Sequence, residues 1–227
     1  MRQIIAFVVI LRAWCSVDME VQKIIDILSQ EFPEPKSELN FNSPFELLVA
    51  VILSAQCTDK RVNSVTPKLF ELADDAYKMS QLDVSVIEEI VRPCGFYHNK
   101  ALFISNMSKD LVKRFNGQVP TDVESLRTLQ GVGRKTANVV YAVAFGGQAI
   151  AVDTHVFRVS NRIGLAHADN VLETEKQLMN VLPHDKWGDC HHYLLLHGRY
   201  VCKARKPLCD SCKLTNFCQY YLKGVKD

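Results

Sequence analysis

The chain has 227 residues, 48% of them hydrophobic and 23% charged. That balance describes an ordinary soluble protein with a core large enough for one or two domains, and it excludes a small chain framed by disulfides. The net charge is only +2, so no general basicity announces a nucleic-acid partner.

At the N-terminus, Arg2 precedes an almost wholly apolar run from Gln3 to Leu11. The run is too short to span a bilayer. It has the length of a signal-peptide core, but Trp14 and Cys15 make a poor cleavage site. A core strand or helix is a further alternative. The reading adopted is that translation starts at Met19, where an amphipathic helix begins. Val21, Ile24, Ile25 and Leu28 have helical spacing, and Pro33 and Pro35 end that helix. Ser43-Pro44-Phe45-Glu46 has the form of a capping box with proline at the first helical position. The helix it opens, through Ala55, is apolar on all sides, which predicts a central core helix. Asp59 is expected to cap the next helix, and Pro67 to kink or restart it. Ser85 and Glu88 open another, closed by Pro93 and Gly95. An amphipathic helix is expected from Asn99 to Phe115, stopping at Asn116-Gly117. Thr121 and Glu124 form a second capping box ahead of Leu126 and Leu129. Further helices are expected at 134–145, 155–163, 171–182 and 186–201. No alternating strand pair is present in the pattern, so the predicted fold class is all-α.

Leu129-Gln130-Gly131-Val132-Gly133-Arg134-Lys135-Thr136-Ala137 joins two of these helices. Gly131 and Gly133 permit a tight turn and let the backbone approach a ligand closely. The second helix then begins with free N–H groups and a positive dipole end, which is an anion site. Such a clamp would hold a DNA phosphate without reading sequence. An ordinary αα-hairpin with glycine at the C-cap is the other reading. Lys135 stands in the first helical turn, where its charge opposes the dipole. With desolvation that placement predicts a lowered pKa and a nucleophilic amine able to form Schiff bases. A lysine that merely contacts phosphate is equally compatible. Asp153, in Ala151-Val152-Asp153-Thr154-His155, reads either as an N-cap or as a carboxylate that supports the lysine and a developing positive charge on a sugar.

Cys202, Cys209, Cys212 and Cys218 have the spacing C-x6-C-x2-C-x5-C. Four thiolates in one short stretch suit zinc or an iron–sulfur cluster, and the spacing leaves that choice open. Arg199, Lys203, Arg205, Lys206 and Lys213 crowd this segment against one acid, Asp210. The patch can meet phosphates, although a solvated loop has the same composition. Cys15, Cys57, Cys94 and Cys190 lie outside the array and read as buried small residues.

These motifs together resemble the endonuclease III family of helix-hairpin-helix DNA glycosylases. The likeness runs from about Glu38 to about Tyr220. It includes Ser54-Ala55-Gln56-Cys57-Thr58-Asp59, the segment from Leu129 to Arg162, Asp189-Cys190-His191-His192, His197-Gly198-Arg199 and the four cysteines. The resemblance implies two helical domains flanking a DNA-binding cleft. One would be a six-helix barrel with the helix-hairpin-helix motif, at 37–148. The other would be a discontinuous iron–sulfur domain, at 19–36 and 149–227. Residues 1–18 have no counterpart.

It further implies a [4Fe–4S] cluster on the four cysteines, with Lys135 as nucleophile and Asp153 as its helper. Gln56, Phe96, Gly131, Gly133, Arg134, His155, Lys203, Arg205 and Lys206 would meet the DNA. Gln56 resembles the family residue that fills the gap left by an extruded nucleotide; a buried, backbone-bonded glutamine is the alternative. Phe96 follows Gly95 where a leucine often wedges into the base stack, with core packing as the alternative. Gln130 stands where the family commonly has proline, which should loosen the turn slightly.

The implied activity is base excision repair: release of oxidised pyrimidines from duplex DNA, then cleavage 3′ to the abasic site by β-elimination through a lysine Schiff base. The implied partner is duplex DNA carrying a damaged pyrimidine or an abasic site. The implied working form is a monomer away from membranes, in the cytoplasm at the nucleoid if the source is bacterial. An adenine-mismatch glycosylase is disfavoured because Lys135 is present and the chain ends soon after Cys218. A thymine-mismatch glycosylase is disfavoured by Lys135. A pure DNA-binding module is disfavoured by Lys135 with Asp153, and a zinc-bound structural protein remains as the plain alternative.

Overall fold

The computed structural model describes residues 19–224, and the readings made for residues 1–18 lie outside it. The described residues contain helices and turns and no strand, so the chain is all-α. The helices are α1 (residues 19–31), α2 (Pro44–Ser54), α3 (Asp59–Leu72), α4 (Ala76–Gln81), α5 (Val84–Val91), α6 (Tyr97–Phe115), α7 (Val123–Leu126), α8 (Arg134–Phe145), α9 (Thr154–Ile163), α10 (Val171–Val181), α11 (Trp187–Tyr200) and α12 (Gln219–Leu222). They form two compact units. One is Ser37–Ala151. The other joins the chain up to Lys36 with the chain from Val152.

In the Ser37–Ala151 unit, α2 is the hub. Every residue from Phe45 to Leu53 is buried, as an almost wholly apolar sequence broken only by Glu46 requires. It packs against α3, α6 and α8. Ser43 caps its start, accepting from the Glu46 N–H at 3.1 Å. Glu46 reaches back to the Asn42 N–H at 2.6 Å, one residue before the N-cap rather than to the cap itself. The far end of α2 meets Lys100 of α6. This lysine is 4% exposed, and its Nζ donates to Leu53 O at 2.9 Å and to Cys94 O at 2.7 Å. The buried ammonium lies on the same α6 face as Ala101, Ile104, Met107, Ser108 and Leu111.

Several boundaries depart from the sequence reading for physical reasons. Asp59 is the first residue inside α3 rather than its cap. Thr58 takes the cap position without a side-chain bond. Pro67 neither ends nor restarts α3, which runs unbroken through it. α4 stands as a separate helix, opened by Asp75 accepting from the Lys78 N–H at 2.8 Å. α5 starts after Asp83, not at Ser85. α6 begins two residues earlier than expected, with Phe96 as its left-handed N-cap at φ 48°. The expected Thr121–Glu124 box is replaced by Asp122, which accepts from the Ser125 N–H at 2.8 Å.

In the other unit, α9 packs against α10, α11 and α12. Val21, Ile24, Ile25 and Leu28 of α1 are buried, as their spacing predicts. Glu31, at the end of α1, bonds His197 of α11, with Oε2 to Nδ1 at 3.0 Å. Burial pushes the His197 pKa down, against the opposing pull of the Glu31 carboxylate. Gly198 lets α11 approach α9 closely: a Cβ there would sit 2.8 Å from the His155 Cβ.

Candidate functional site

The segment between α7 and α8 forms the expected hairpin. Leu129 and Val132 are buried and anchor it, and the Val132 N–H donates to Leu129 O at 3.2 Å. With Gln130 in place of proline, the turn is still closed by this bond. The two glycines have different duties. Gly131 has φ +78°, and a Cβ there would lie 2.7 Å from the Phe103 Cβ, so both the backbone and the packing require glycine. Gly133 has φ −80°, and a Cβ there would meet nothing within 4 Å. Among the described residues nothing demands glycine at that position.

Gly133 is also the N-cap of α8, and no side chain caps that helix. Its first N–H groups therefore lack the side-chain oxygen that closes α2, α4, α7, α9 and α10. Arg134 and Lys135 follow at once, both exposed. The desolvation expected of Lys135 is thus absent in the free chain: its side chain is open to solvent.

The turns carrying Gln56 and Phe96 share two features. Both residues are exposed, Phe96 at 66%, and both sit in the left-handed region, at φ 51° and 48°. This overturns the two bland alternatives, a buried glutamine and a core phenylalanine. Left-handed backbone at a non-glycine residue costs on the order of 1–3 kcal/mol and is kept only where surrounding structure enforces it. Cys94 and Cys57 stand near these turns. Cys94 is buried as expected, but Cys57 is half-buried.

In the other unit, Asp153 is the N-cap of α9. Its Oδ1 accepts from the His155 and Val156 N–H groups, both at 2.8 Å. Both cap bonds use the same oxygen. Asp153 belongs to one unit and Lys135 to the other. His155 is half-buried, with Nδ1 3.1 Å from Arg158 Nη2.

Two arginines on α9 fasten the cysteine segment, and the sequence reading gave neither a role. Arg158 donates to Gly198 O at 2.8 Å and to Cys202 O at 3.1 Å. Arg162 donates to Lys203 O at 2.7 Å and Ala204 O at 3.1 Å, and stacks over Tyr220 at 4.5 Å. The available signal was their spacing, one helical turn apart on the strongly amphipathic α9. Burial pulls the Arg158 pKa down without threatening its charge.

Cys202, Cys209, Cys212 and Cys218 line one cavity with mostly apolar walls, among them Ile163, Pro207, Leu208 and Leu214. Two nitrogens approach the sulfurs: Arg162 Nη1 donates to Cys202 Sγ at 3.7 Å, and His197 Nε2 lies 3.7 Å from Cys212 Sγ. Burial pushes the Cys212 thiol up to about 11 and raises that of Cys209. Among the described residues no three His, Cys, Asp or Glu side chains are placed to hold a single metal ion. Four cysteine sulfurs around one shared apolar cavity are soft ligands of the kind that hold zinc or an iron–sulfur cluster. Lys203, Arg205 and Lys206 are exposed in the loop between Cys202 and Cys209, and Lys206 has φ 53°.

Residues 49–184 match the family model described as HhH-GPD superfamily base excision DNA repair protein. Endonuclease III of Escherichia coli is 48% identical over 198 residues, covering 87% of this chain and 94% of that protein. The Haemophilus influenzae endonuclease III is 47% identical with the same coverage. A solved structure of a trapped endonuclease III–DNA covalent intermediate, in an estranged-adenine complex, superimposes with a TM-score of 0.87 at 45% identity. It covers 92% of this chain and 99% of that one. The hairpin, the cysteine cavity and the all-helical build thus stand in a chain that belongs to the HhH-GPD superfamily of base excision DNA repair proteins and, within it, to the endonuclease III family.

Proposed function

We propose that this protein is a bifunctional DNA glycosylase and abasic-site lyase. It would release oxidised pyrimidines from duplex DNA and cut the strand 3′ to the abasic site. The observation that carries the reading is the exposed Lys135 amine in the first turn of α8, directly behind an uncapped hairpin. The covalent DNA intermediate of the similar endonuclease III supports a route through a protein nucleophile.

In this reading the free N–H groups of α8 hold a backbone phosphate, and the open space before Gly133 admits it. Arg134 and His155 add contacts to the strand. Oxidised pyrimidines have lost aromatic stacking, so turning one out of the duplex costs less than turning out an intact base. Phe96 and Gln56 enter the stack and fill the gap. Bound DNA then supplies the desolvation that Lys135 lacks in the free chain. Lys135 Nζ attacks C1′ of the sugar, and the bond from C1′ to the base breaks. The base leaves with the electron pair and takes up a proton. The sugar ring opens to a Schiff base between Lys135 and C1′. Loss of a C2′ proton expels the 3′ phosphate and cuts the strand.

Asp153 contributes its negative charge against the positive charge that develops on the sugar, while one of its oxygens keeps the α9 cap. Cys202, Cys209, Cys212 and Cys218 hold a [4Fe–4S] cluster with a structural role, fixing the loop that carries Lys203, Arg205 and Lys206. Those cations bind phosphates without reading sequence.

Lys135→Ala should lower base release from a thymine glycol duplex and strand cleavage together, by at least about a thousandfold. Its affinity for undamaged duplex should stay within about threefold of the original. Full strand cleavage by the variant would sink the assignment. Asparagine caps helices about as well as aspartate. Asp153→Asn should therefore keep the melting temperature and the cluster absorbance while base release slows by at least about a hundredfold. An unaltered rate would leave Asp153 as a cap alone. Gly133→Ala should fold as the parent does and lose duplex affinity, measured by anisotropy. Gly131→Ala should lose stability first, because it needs both the positive φ and the space against Phe103. Wild-type affinity in Gly133→Ala would contradict the phosphate clamp.

A further inference from the structure

We propose that Lys100 is a positioning residue for nucleotide extrusion, holding the Gln56 turn and the Phe96 turn in one rigid piece. The inference rests on the reading of those two side chains as the groups that enter the base stack. Lys100 itself touches no DNA in this account.

Three bonds carry it. The Lys100 backbone N–H donates to Phe96 O at 3.1 Å, closing the first turn of α6. Its Nζ returns to Cys94 O at 2.7 Å, two residues before Phe96. The same Nζ donates to Leu53 O at 2.9 Å, three residues before Gln56. One residue therefore grips the Phe96 turn on both sides and ties it to the end of α2. Gln56 and Phe96 both hold left-handed backbone, and Gly95 between Cys94 and Phe96 has φ +63°. Such conformations relax unless neighbours enforce them.

The chemistry of the pair of acceptors matters. Two carbonyl oxygens aimed at one point inside a core need a donor with at least two N–H groups. An amine meets that need in either protonation state, so burial, which lowers the Lys100 pKa, does not release the turns. A purely structural lysine at a helix end would need to satisfy α2 alone. The second bond, to the carbonyl just ahead of Gly95-Phe96, links it to the wedge.

The test separates extrusion from chemistry and from folding. The probe is a duplex with a tetrahydrofuran abasic analogue opposite 2-aminopurine, which cannot be cleaved and whose fluorescence rises when the opposing base is unstacked. The intact protein should raise that fluorescence. Lys100→Met, with unchanged helix content and cluster absorbance, should cut the rise by at least about fivefold. Its binding to undamaged duplex and its borohydride trapping on a single-stranded abasic site should stay within about twofold, since neither needs the wedge. In a Gln56→Ala/Phe96→Ala background, Lys100→Met should change the residual signal by less than about twofold, because its effect passes through those residues.

A full fluorescence rise in Lys100→Met overturns the proposal, as does an equal fractional loss in both backgrounds. Lys100→Gln, which keeps N–H donors on a shorter side chain, is measured in parallel. If neither variant holds the native helix content, Lys100 belongs to the fold alone and the proposal falls. If the unaltered protein gives no fluorescence rise at all, the reading of Gln56 and Phe96 fails instead.

Discussion

A helix with no polar face can be solvated only at its ends, and that constraint governs the Ser37–Ala151 unit. Nine consecutive residues of α2 are buried. Its backbone is satisfied internally along its length, but the first N–H groups and last carbonyls need partners that the apolar sequence does not supply. At the start, Ser43, Asn42 and Glu46 form a small polar knot. At the far end, where the chain must turn sharply through Gln56, a charged group from α6 is drawn into the core. Burying an ammonium is costly unless it is fully bonded, and Lys100 meets two carbonyls. The burial of α2 and the exposure of Gln56 and Phe96 are thus two ends of one arrangement.

Five helix N-termini are closed by a side chain of their own sequence, while α3, α5, α6, α8, α11 and α12 have no side-chain cap. α2, α4, α7, α9 and α10 each begin with an oxygen from their own sequence accepting the free N–H groups. α8 begins with a glycine that offers none. Leaving such a terminus open forfeits about 1 kcal/mol of capping, and it leaves a site that an external phosphate can complete. The exposed lysine that follows cannot be explained by helix stability, since its charge opposes the dipole. α9 shows the opposite choice: Asp153 is tied to its helix by one oxygen. The arginines one and two turns further along that helix hold the carbonyls of the cysteine loop.

Much of this was legible in the sequence because the signals were local. Helical spacing located α1, α6 and α8–α11, and Ser43-Pro44-Phe45-Glu46 announced α2. The paired glycines marked the hairpin, although only the fold could separate Gly131, which packs against Phe103, from Gly133, at which a Cβ would meet none of the described residues. What escaped depended on distant neighbours. Pro67 was expected to kink or restart its helix, and α3 does not restart there but continues through it. Asp122 displaced the Thr121–Glu124 box because its side chain reaches the Ser125 N–H. Phe96 and Gln56 could be assigned to the core or to the surface, since neither residue type reveals a left-handed backbone. Lys100 passed unnoticed, although a lone lysine on a stripe of Ala101, Ile104, Met107 and Leu111 is itself a signal that a buried polar partner awaits it.

The central claim is that the Lys135 amine forms a covalent bond to the sugar of damaged DNA. The most direct measurement is borohydride trapping on a duplex with one thymine glycol, followed by proteolysis and mass spectrometry of the cross-linked peptide. A sugar adduct on Lys135 is the predicted result. An adduct on another residue, or none from protein that carries its cluster and binds the duplex, would contradict the account.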